Sequence, residues 1–314
     1  SFRNNSTMPK KSNVGVATDE QKKKYLESIP AGFEYAGGIW PGTILSAAKF
    51  DSLKDEEFGD DDVIIVTYPK SGTTWISEVL SAIAHEGDVE KIKGIRMDLR
   101  VPWIDWALDL EEAPVTNPKK KIAFTHLPYE ALPKSIKEGK CKMIYVARNP
   151  KDQAVSFYHF HRMAAFLGMQ KDFKWDDFFP LFLSGYIACG SWFDHVLPYY
   201  KHCKDYKNTM FVTFEDMKMD PLGKQKELEK FVGLELTKEQ SERVMAHCSF
   251  DAMKNNKSTN REEVRELFDH SAVPFMRKGI VGDWKNYFTV AQNEAFDKMY
   301  KERMARTGLD FPFE

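Results

Sequence analysis

Cysteines are few in this chain of 314 residues, and long apolar runs are lacking. The cysteines are widely spaced and contain no CxxC pair, which argues against a disulfide framework and a zinc knuckle. No apolar stretch reaches the about 20 residues that cross a membrane, and the polar, lysine-rich N-terminus does not resemble a signal peptide. We therefore expect a cytoplasmic protein with reduced thiols that does not associate with membranes.

An excess of charge of either sign is also lacking. Forty-five basic residues oppose 47 acidic ones, which gives a net charge of -2. No overall positive field would attract nucleic acid, so we expect no nucleic-acid partner. A Gly/Ser linker and internal repeats are absent too, and the 42% hydrophobic content is enough for one large core. We predict a mobile N-terminal segment at 1–24 and a single domain at 25–314.

What the chain does contain is an alternation of strands and helices. Four short apolar stretches are predicted as strands, at Val63–Tyr68, Lys121–Thr125, Lys142–Ala147 and Met210–Phe214. Helical patterns follow several of them, and one begins after Asp220-Pro221 and ends at a glycine. The alternation predicts an α/β fold: a single domain with a central, mostly parallel sheet flanked by helices.

A short loop between the first of these strands and its helix has the composition of a phosphate-binding site. It reads TYPKSGTTW, from Thr67 to Trp75. Backbone N–H groups of 71–74 would converge at a helix N-terminus, and Gly72 would allow a close approach to an anion. Lys70 precedes the glycine, whereas the lysine of a Walker loop follows it. We expect a P-loop-like anion site that works without a metal.

Four separated motifs resemble the cytosolic sulfotransferases. TYPKSGTTW resembles the loop that binds the 5′-phosphosulfate in that family, and RKGIVGDWKNYFTVAQNEAF (277–296) resembles its C-terminal signature. YVARNPKDQAVSFYHF (145–160) and FTHLP (124–128) resemble the segments between them. The motifs occur in the family's order, and the match extends from about residue 30 to the end of the chain.

The resemblance implies a sulfonate donor, 3′-phosphoadenosine-5′-phosphosulfate (PAPS), whose product is adenosine 3′,5′-bisphosphate (PAP). It implies one set of ligands for the 5′-phosphosulfate, another for the 3′-phosphate and a third for the adenine. These sets are Lys70, Ser71, Gly72, Thr73 and Thr74; then Arg148, Ser156, Arg277, Lys278 and Gly279; then Trp75, Phe214, Cys248 and Phe250.

The resemblance also implies the catalytic groups. His126 would remove the acceptor's proton, because an imidazole titrates near neutral pH. Lys70 would neutralise the departing phosphate, and Ser156 would hold Lys70 aside until the acceptor arrives. Many relatives have a lysine two residues before this histidine, whereas this chain has Phe124. This difference leaves two interpretations open. Either Lys70 supplies the needed positive charge alone, or the acceptor end of the site is more apolar than in those relatives.

A small-molecule hydroxyl acceptor is the expected partner. Four aromatic side chains are predicted to line its pocket: Trp103, Trp106, Phe124 and Phe160. Because Phe124 stands where many relatives have a lysine, the pocket lacks that cation. We therefore expect neutral flat phenols or alcohols to be favoured over acidic ones. Residues 260–275 would form a lid. Trp40 could reach the pocket or belong to the core, whereas Met163 and Phe166 are assigned to the core.

A weak homodimer is the last implication, carried by the pattern Lys285, Thr289, Val290 and Glu294. Its alternative is an ordinary helix start capped by Thr289. Three functional alternatives also stay open. They are a P-loop nucleotide kinase, an inactive member that only binds nucleotide, and a Golgi carbohydrate sulfotransferase.

Overall fold

The computed structural model describes residues 14–107, 117, 119–168, 172–271 and 273–314. Its strands are β1 (Phe33–Tyr35), β2 (Gly38–Trp40), β3 (Asp62–Thr67), β4 (Lys121–Thr125), β5 (Lys142–Ala147) and β6 (Thr209–Thr213). Its α-helices are α1 (Asp19–Ser28), α2 (Ala47–Leu53), α3 (Thr73–Ala84), α4 (Met97–Arg100), α5 (Lys134–Lys137), α6 (Pro150–Met163), α7 (Trp175–Ser184), α8 (Trp192–Asp205), α9 (Phe214–Met219), α10 (Pro221–Val232), α11 (Lys238–His247), α12 (Phe250–Lys254), α13 (Lys257–Asn260) and α14 (Val290–Met304). Single 3₁₀ turns occur at Val89–Lys91, Tyr129–Ala131, Ala165–Leu167, Glu262–Val264 and Asp283–Asn286.

A four-stranded parallel sheet forms the centre of the fold, in the order β4-β3-β5-β6. Alternate residues of its strands pack into two separate apolar clusters. Ile64 and Val66 belong to one cluster, whereas Val63 and Ile65 belong to the other. Because both faces of β3 are buried, its apolar run is continuous, as is typical of a parallel sheet covered by helices. The predicted fold class is confirmed.

A small antiparallel hairpin of β1 and β2 precedes the sheet, and the sequence analysis did not predict it. Each of its strands has only three residues, which is too short for a periodic signal. Trp40 ends β2 with a fully buried side chain, and its ring meets the ring of Phe50 edge-on. Trp40 is therefore a core residue, one of the two roles that the sequence left open.

The predicted division at residue 24 falls within α1. Thr18 caps this helix, and Tyr25 is buried and bonds to His161 Nε2 at 2.8 Å. Residues 1–13 lie outside the described residues, so the mobility of 1–24 and the domain limits 25–314 stay predictions.

The segment of the predicted dimer motif is described in full. Thr289 is the N-cap of α14 and its side chain accepts the N–H of Gln292, so the expected cap is confirmed. Val290 follows with 76% of its surface exposed. Lys285 pairs with Glu314 at 2.8 Å. A cap and an exposed apolar side chain are compatible with an interface, and the dimer itself stays a prediction.

Candidate functional site

The candidate site lies at the carboxyl edge of the parallel sheet. Each of the four strands is followed there by a residue that the sequence analysis singled out. Lys70 follows β3, His126 follows β4, Arg148 follows β5 and Phe214 follows β6. Parallel strands bring their carboxyl ends to one edge, which is where ligands of open α/β sheets bind. The topology therefore gathers four motifs that are far apart in the chain.

The loop between β3 and α3 has an unusual backbone. Lys70 and Gly72 both have positive φ angles, 73° and 104°. Gln153 from α6 supports the loop, because its amide nitrogen donates to the carbonyl oxygen of Pro69 at 2.6 Å and to Ser71 Oγ at 2.7 Å. These bonds hold the loop in the shape that opens α3, whose N-terminal N–H groups favour an anion.

Lys70 is placed where the loop meets the lid. Its ammonium group lies 4.3 Å from the ring centroid of Phe160 and 4.4 Å from that of Phe275. Burial and the neighbouring charges of Arg148, Arg261 and Arg277 lower the pKa of Lys70 to about 7. Ser156 lines the same cavity, and its predicted action on Lys70 stays a prediction.

Arg148 forms the centre of the predicted 3′-phosphate site. Its guanidinium donates to the carbonyl oxygens of Lys70 at 3.3 Å and Ile280 at 3.2 Å, and it lies 4.4 Å from the ring centroid of Phe214. Its Nε is buried and has no hydrogen-bond partner within the part of the chain that the structure describes. A buried guanidinium with an unused donor is the environment in which an anionic ligand is favourable.

The second part of that site is the segment 277–284. Arg277 and Lys278 both pair with Asp283, each at 2.6 Å. Burial would raise the pKa of Asp283, but the hydrogen bonds from Lys278, Asn286 and Arg277 lower it to about 2. Asp152 of α6 accepts the N–H groups of 282 and 284 at 2.7 and 2.9 Å. The segment is thereby tied to the helix that follows Arg148.

Aromatic walls for an adenine lie beside this segment. Trp75 meets Phe214 edge-on at 5.5 Å, and Cys248 and Phe250 line the same cavity. Gly279 approaches Phe250 so closely that a Cβ on it would lie 2.5 Å from a ring carbon. The structure thus brings together the four residues that the resemblance implied for the base.

His126 has a defined tautomer. Its Nδ1 lies 2.8 Å from the carbonyl oxygen of Thr67 and 3.0 Å from that residue's hydroxyl oxygen. A carbonyl only accepts, so Nδ1 carries the proton and Nε2 keeps its lone pair. Burial lowers the pKa of His126 to about 4. The hydrogen bond to Thr67 opposes part of this shift, and the charge of Lys70 adds to it. The imidazole is therefore neutral at physiological pH.

Asp105 is a component that the sequence analysis missed. Its carboxylate is fully buried and accepts from the backbone N–H of His126 at 2.8 Å, from Trp103 Nε1 at 2.6 Å and from Thr125 Oγ1 at 2.5 Å. Burial raises the pKa of Asp105 to about 6, although these hydrogen bonds oppose the shift. One side chain thus orients both the candidate base and one wall of the acceptor pocket.

The four aromatic residues predicted for the acceptor pocket all line the cavity. Trp103 stacks on Phe124 with 5.7 Å between ring centroids and meets His126 edge-on at 5.3 Å. Trp106 and Phe160 line the same cavity, whose volume is about 500 Å³. This volume is in the range of small-ligand sites. Phe124, on which Trp103 stacks, lies directly beside the candidate base.

The lid contributes more than the sequence analysis predicted. Phe166 is buried in the apolar core, as expected, and it also lines the cavity. Met163 is buried and packs in the apolar core, as expected. Phe268 of the lid packs on Phe160 and Phe166, and Arg261 of the lid lines the cavity too. A charged, weakly periodic stretch does not show from its sequence which side chains point inward.

The donor residues implied by the resemblance line one cavity, with a single exception. The Ser71 side chain is fully buried, and its hydroxyl donates to the carbonyl oxygen of Tyr68 at 2.8 Å. Only the backbone of Ser71 is therefore suited to an anion. The remaining donor set supplies N–H groups, cations and flat rings, which fits a nucleotide with anions at both ends. Among the described residues, no group of three or more metal-ligating side chains is gathered.

Known proteins similar to this chain share one family. A family model described as "Sulfotransferase domain" matches residues 60–308. Sulfotransferase 1C2 of Rattus norvegicus is 44% identical over 259 residues, which are 81% of this chain and 86% of that protein. Sulfotransferase 1A1 of Canis lupus familiaris is 42% identical over 296 residues, or 91% of this chain and 99% of that protein.

Solved structures give the same result. Mouse sulfotransferase SULT7A1 complexed with PAP superimposes with a TM-score of 0.70 at 33% identity, covering 88% of this chain and 96% of that one. Retinol dehydratase in complex with androsterone and inactive cofactor PAP gives 0.81 at 25% identity, covering 95% and 97%. No helix among the described residues is long and apolar enough to cross a membrane.

Proposed function

This chain belongs to the sulfotransferase family and is a PAPS-dependent sulfotransferase, and from that premise we propose its acceptor class and catalytic residues. The acceptor is a small apolar compound with a hydroxyl group, either a phenol or a flat alcohol. His126 is the base, and the transfer is an in-line displacement. The observation that carries the proposal is the Nδ1–H of His126 donating to Thr67, which leaves Nε2 as a proton acceptor beside an aromatic pocket.

PAPS, when bound, supplies the sulfonate that is transferred and the bisphosphate that leaves. The N–H groups of the loop at 71–74 and the ammonium of Lys70 hold its 5′ end. Arg148, Ser156 and the segment 277–279 hold its 3′-phosphate, and the rings of Trp75, Phe214 and Phe250 enclose the base beside Cys248. The buried, unpartnered Nε of Arg148 supports this assignment.

His126 and the pocket walls act on the acceptor. Trp103 and Phe124 stack in parallel next to His126, so a flat ring packed along them brings its hydroxyl toward Nε2. When the donor is bound, His126 Nε2 would take the hydroxyl proton as the acceptor oxygen bonds to sulfur and the bond between that sulfur and the departing bisphosphate breaks. The Thr67 carbonyl oxygen then accepts a hydrogen bond from the imidazolium that results. Lys70 stabilises the negative charge that develops on the leaving phosphate.

The alternative is a weakly active or inactive member that only binds nucleotide. Phe124 motivates it, because many relatives have a lysine at this position. The centroids of the Phe124 and His126 rings lie 5.4 Å apart. A neutral ring therefore occupies the position at which many relatives have a cation beside the histidine. The intact base and donor set favour activity over this alternative.

Replacement of His126 by alanine tests the base. We expect sulfonation of a simple phenol to fall by about 10²- to 10⁴-fold, while the affinity for PAP, measured by calorimetry, stays within about twofold. Undiminished turnover would remove His126 from the mechanism. The low pKa of His126 adds a second expectation. At low pH the imidazole is protonated and inactive, so the acid limb of kcat/KM should lie near pH 4 instead of pH 6.5.

Acceptor identity is tested with a panel that also contains larger flat alcohols. Retinol dehydratase structures contain androsterone or retinol, so a steroid and a polyene alcohol belong beside simple phenols. Turnover of no acceptor by the wild type, with tight PAP binding, would favour the inactive alternative. Phe124→Lys then measures what the missing cation costs. We also propose metal-independent transfer, which an unchanged rate in EDTA would support, and a cytoplasmic location.

A further inference from the structure

A charged cluster lies in the wall of the cavity, where the lid meets α4. It consists of Arg96 and Asp98 from the start of α4 and Arg261 from the lid. Arg261 follows α13 with a left-handed φ of 64°. Arg261 is more than 160 positions away from the other two residues in the chain, and all three line the cavity.

The cluster carries more positive than negative charge. Asp98 accepts from Arg96 through both oxygens, at 3.3 and 2.5 Å, whereas Arg261 approaches it only at 3.5 Å. The two hydrogen bonds from Arg96 satisfy the Asp98 carboxylate. The contact between Arg261 and Asp98 is longer, so it leaves most of the positive charge of Arg261 unbalanced. Asp98 is therefore shared unequally between two guanidinium groups, and Arg261 has the weaker contact.

Arg261 is poorly satisfied for a buried cation. Its side chain is 16% exposed, and its Nε is buried without a hydrogen-bond partner among the described residues. Burial lowers its pKa, although the charge of Asp98 opposes that shift. Burying a guanidinium with few hydrogen bonds is unfavourable. Such a group therefore favours the binding of an anionic ligand beside it.

The position of Arg261 favours the acceptor over the donor as the source of that anion. Val264, Leu267 and Phe268 of the same lid line the apolar part of the cavity. The donor side has cations of its own for the anions of a bisphosphate, namely Arg148, whose Nε has no hydrogen-bond partner among the described residues, and Arg277. The Phe275 ring lies between the two regions, 4.4 Å from the Lys70 ammonium and 6.0 Å from the Arg261 guanidinium.

We infer that Arg261, supported by Arg96, binds an acidic group of the acceptor, so that the enzyme prefers aromatic hydroxy acids in which a carboxylate accompanies the phenol. This inference rests on the proposed function, keeps its flat phenol as the group that is sulfonated, and adds a carboxylate to an acceptor otherwise taken as apolar. It also replaces the expectation that acidic acceptors are disfavoured, because that expectation considered position 124 alone. A guanidinium recognises a carboxylate with two parallel hydrogen bonds, which a neutral ester cannot reproduce.

Matched acceptors and matched variants test the inference. The acceptors are 4-hydroxyphenyl carboxylic acids with zero to two methylene groups in the side chain, each paired with its methyl ester. We expect the wild type to prefer at least one acid, and Arg261→Gln to lower kcat/KM for that acid by about 10- to 100-fold. The ester should change less than threefold. Arg265→Gln removes an exposed arginine of the same lid and should leave the ratio unchanged.

A binding measurement separates this inference from the proposed function. Titration of acid and ester into the complex with PAP, followed by calorimetry, requires no turnover. Selective loss of acid binding in Arg261→Gln supports the inference, whether or not any acceptor is sulfonated. Absence of sulfonation would count only against the proposed function. Equal losses for acid and ester would assign Arg261 to the donor and overturn the inference. An unchanged acid-to-ester ratio would overturn it as well.

Discussion

A single hydrogen bond determines what His126 can do. The Thr67 carbonyl oxygen accepts from Nδ1, so the opposite nitrogen is the one available to an acceptor hydroxyl. The neighbouring β3 supplies that oxygen, and the adjacent loop supplies Lys70. The proposed base and the proposed electrostatic group are therefore both positioned by the end of β3 and the loop that follows it.

Lys70 provides a pH prediction at this scale. Its pKa of about 7 in the free protein reflects burial and the arginine charges around it. A bound bisphosphate adds negative charge, which raises this pKa. At pH 8 we expect binding of PAP to take up close to one proton per site, and at pH 6 the lysine should contribute none. Calorimetry in buffers of different ionisation enthalpy measures this uptake.

The same titrations provide the control for that prediction. Lys70→Met removes the group that titrates, so its proton uptake at pH 8 should disappear. The wild-type affinity should also weaken as pH rises above 7, because the free lysine must first gain a proton. Equal uptake in wild type and Lys70→Met would show that another group titrates.

At the scale of elements, strand ends and the segment 277–284 build the donor site together. Asp152 accepts two backbone N–H groups of that segment, so α6 carries both sides of the predicted 3′-phosphate site. Gly279 has a φ of 62° and lies directly against the Phe250 ring. The wall of the adenine pocket therefore depends on a residue without a side chain.

Replacement of Gly279 by alanine tests this packing. The new Cβ would lie 2.5 Å from the Phe250 ring, so the ring must move and the affinity for PAP should fall by at least about tenfold, or 1.4 kcal/mol. Gly233→Ala is the matched control, because its φ is 75° and a Cβ there meets nothing within 4 Å. The control should lose about 1 kcal/mol of stability and keep its affinity. Similar losses of affinity in both variants would contradict the packing argument.

At the scale of the whole molecule, one wall of the cavity comes from the predicted lid, which is distant in sequence from the donor loop. Phe160 contacts Phe268 and Phe275 of the lid and also the ammonium of Lys70. The donor loop, α6 and the lid thus form one wall. Ordering of the lid on donor binding remains a prediction of the sequence analysis.

Assembly gives the prediction at this scale. Val290 is exposed next to a capped helix start, and a dimer that buries it would be small and weak. We expect light scattering at micromolar concentration to detect a dimer in the wild type and a monomer in Val290→Glu. Leu222→Glu, at another exposed apolar position, should leave the dimer intact. A monomeric wild type would argue against the interface.

The sequence by itself determined the sheet, the donor loop and the order of the motifs. These features depend on local signals: an apolar β-branched strand, a glycine and lysine beside a helix start, and a strand-helix alternation that makes the sheet parallel. Parallel strands end at one edge, so Lys70, His126, Arg148 and Phe214 could be expected to meet there. The family resemblance added the segment at 277–279, which no local pattern assigns to that edge.

Only the tertiary structure decided which distant side chains complete the site. Asp105 follows no strand, yet it accepts from the His126 backbone and from Trp103. Arg261 belongs to the charged stretch predicted as a lid, whose sequence does not show which side chains point inward, yet it is largely buried and faces Asp98. Side-chain pairing across more than 20 or 160 residues depends on how elements pack, and sequence periodicity carries no information about such contacts.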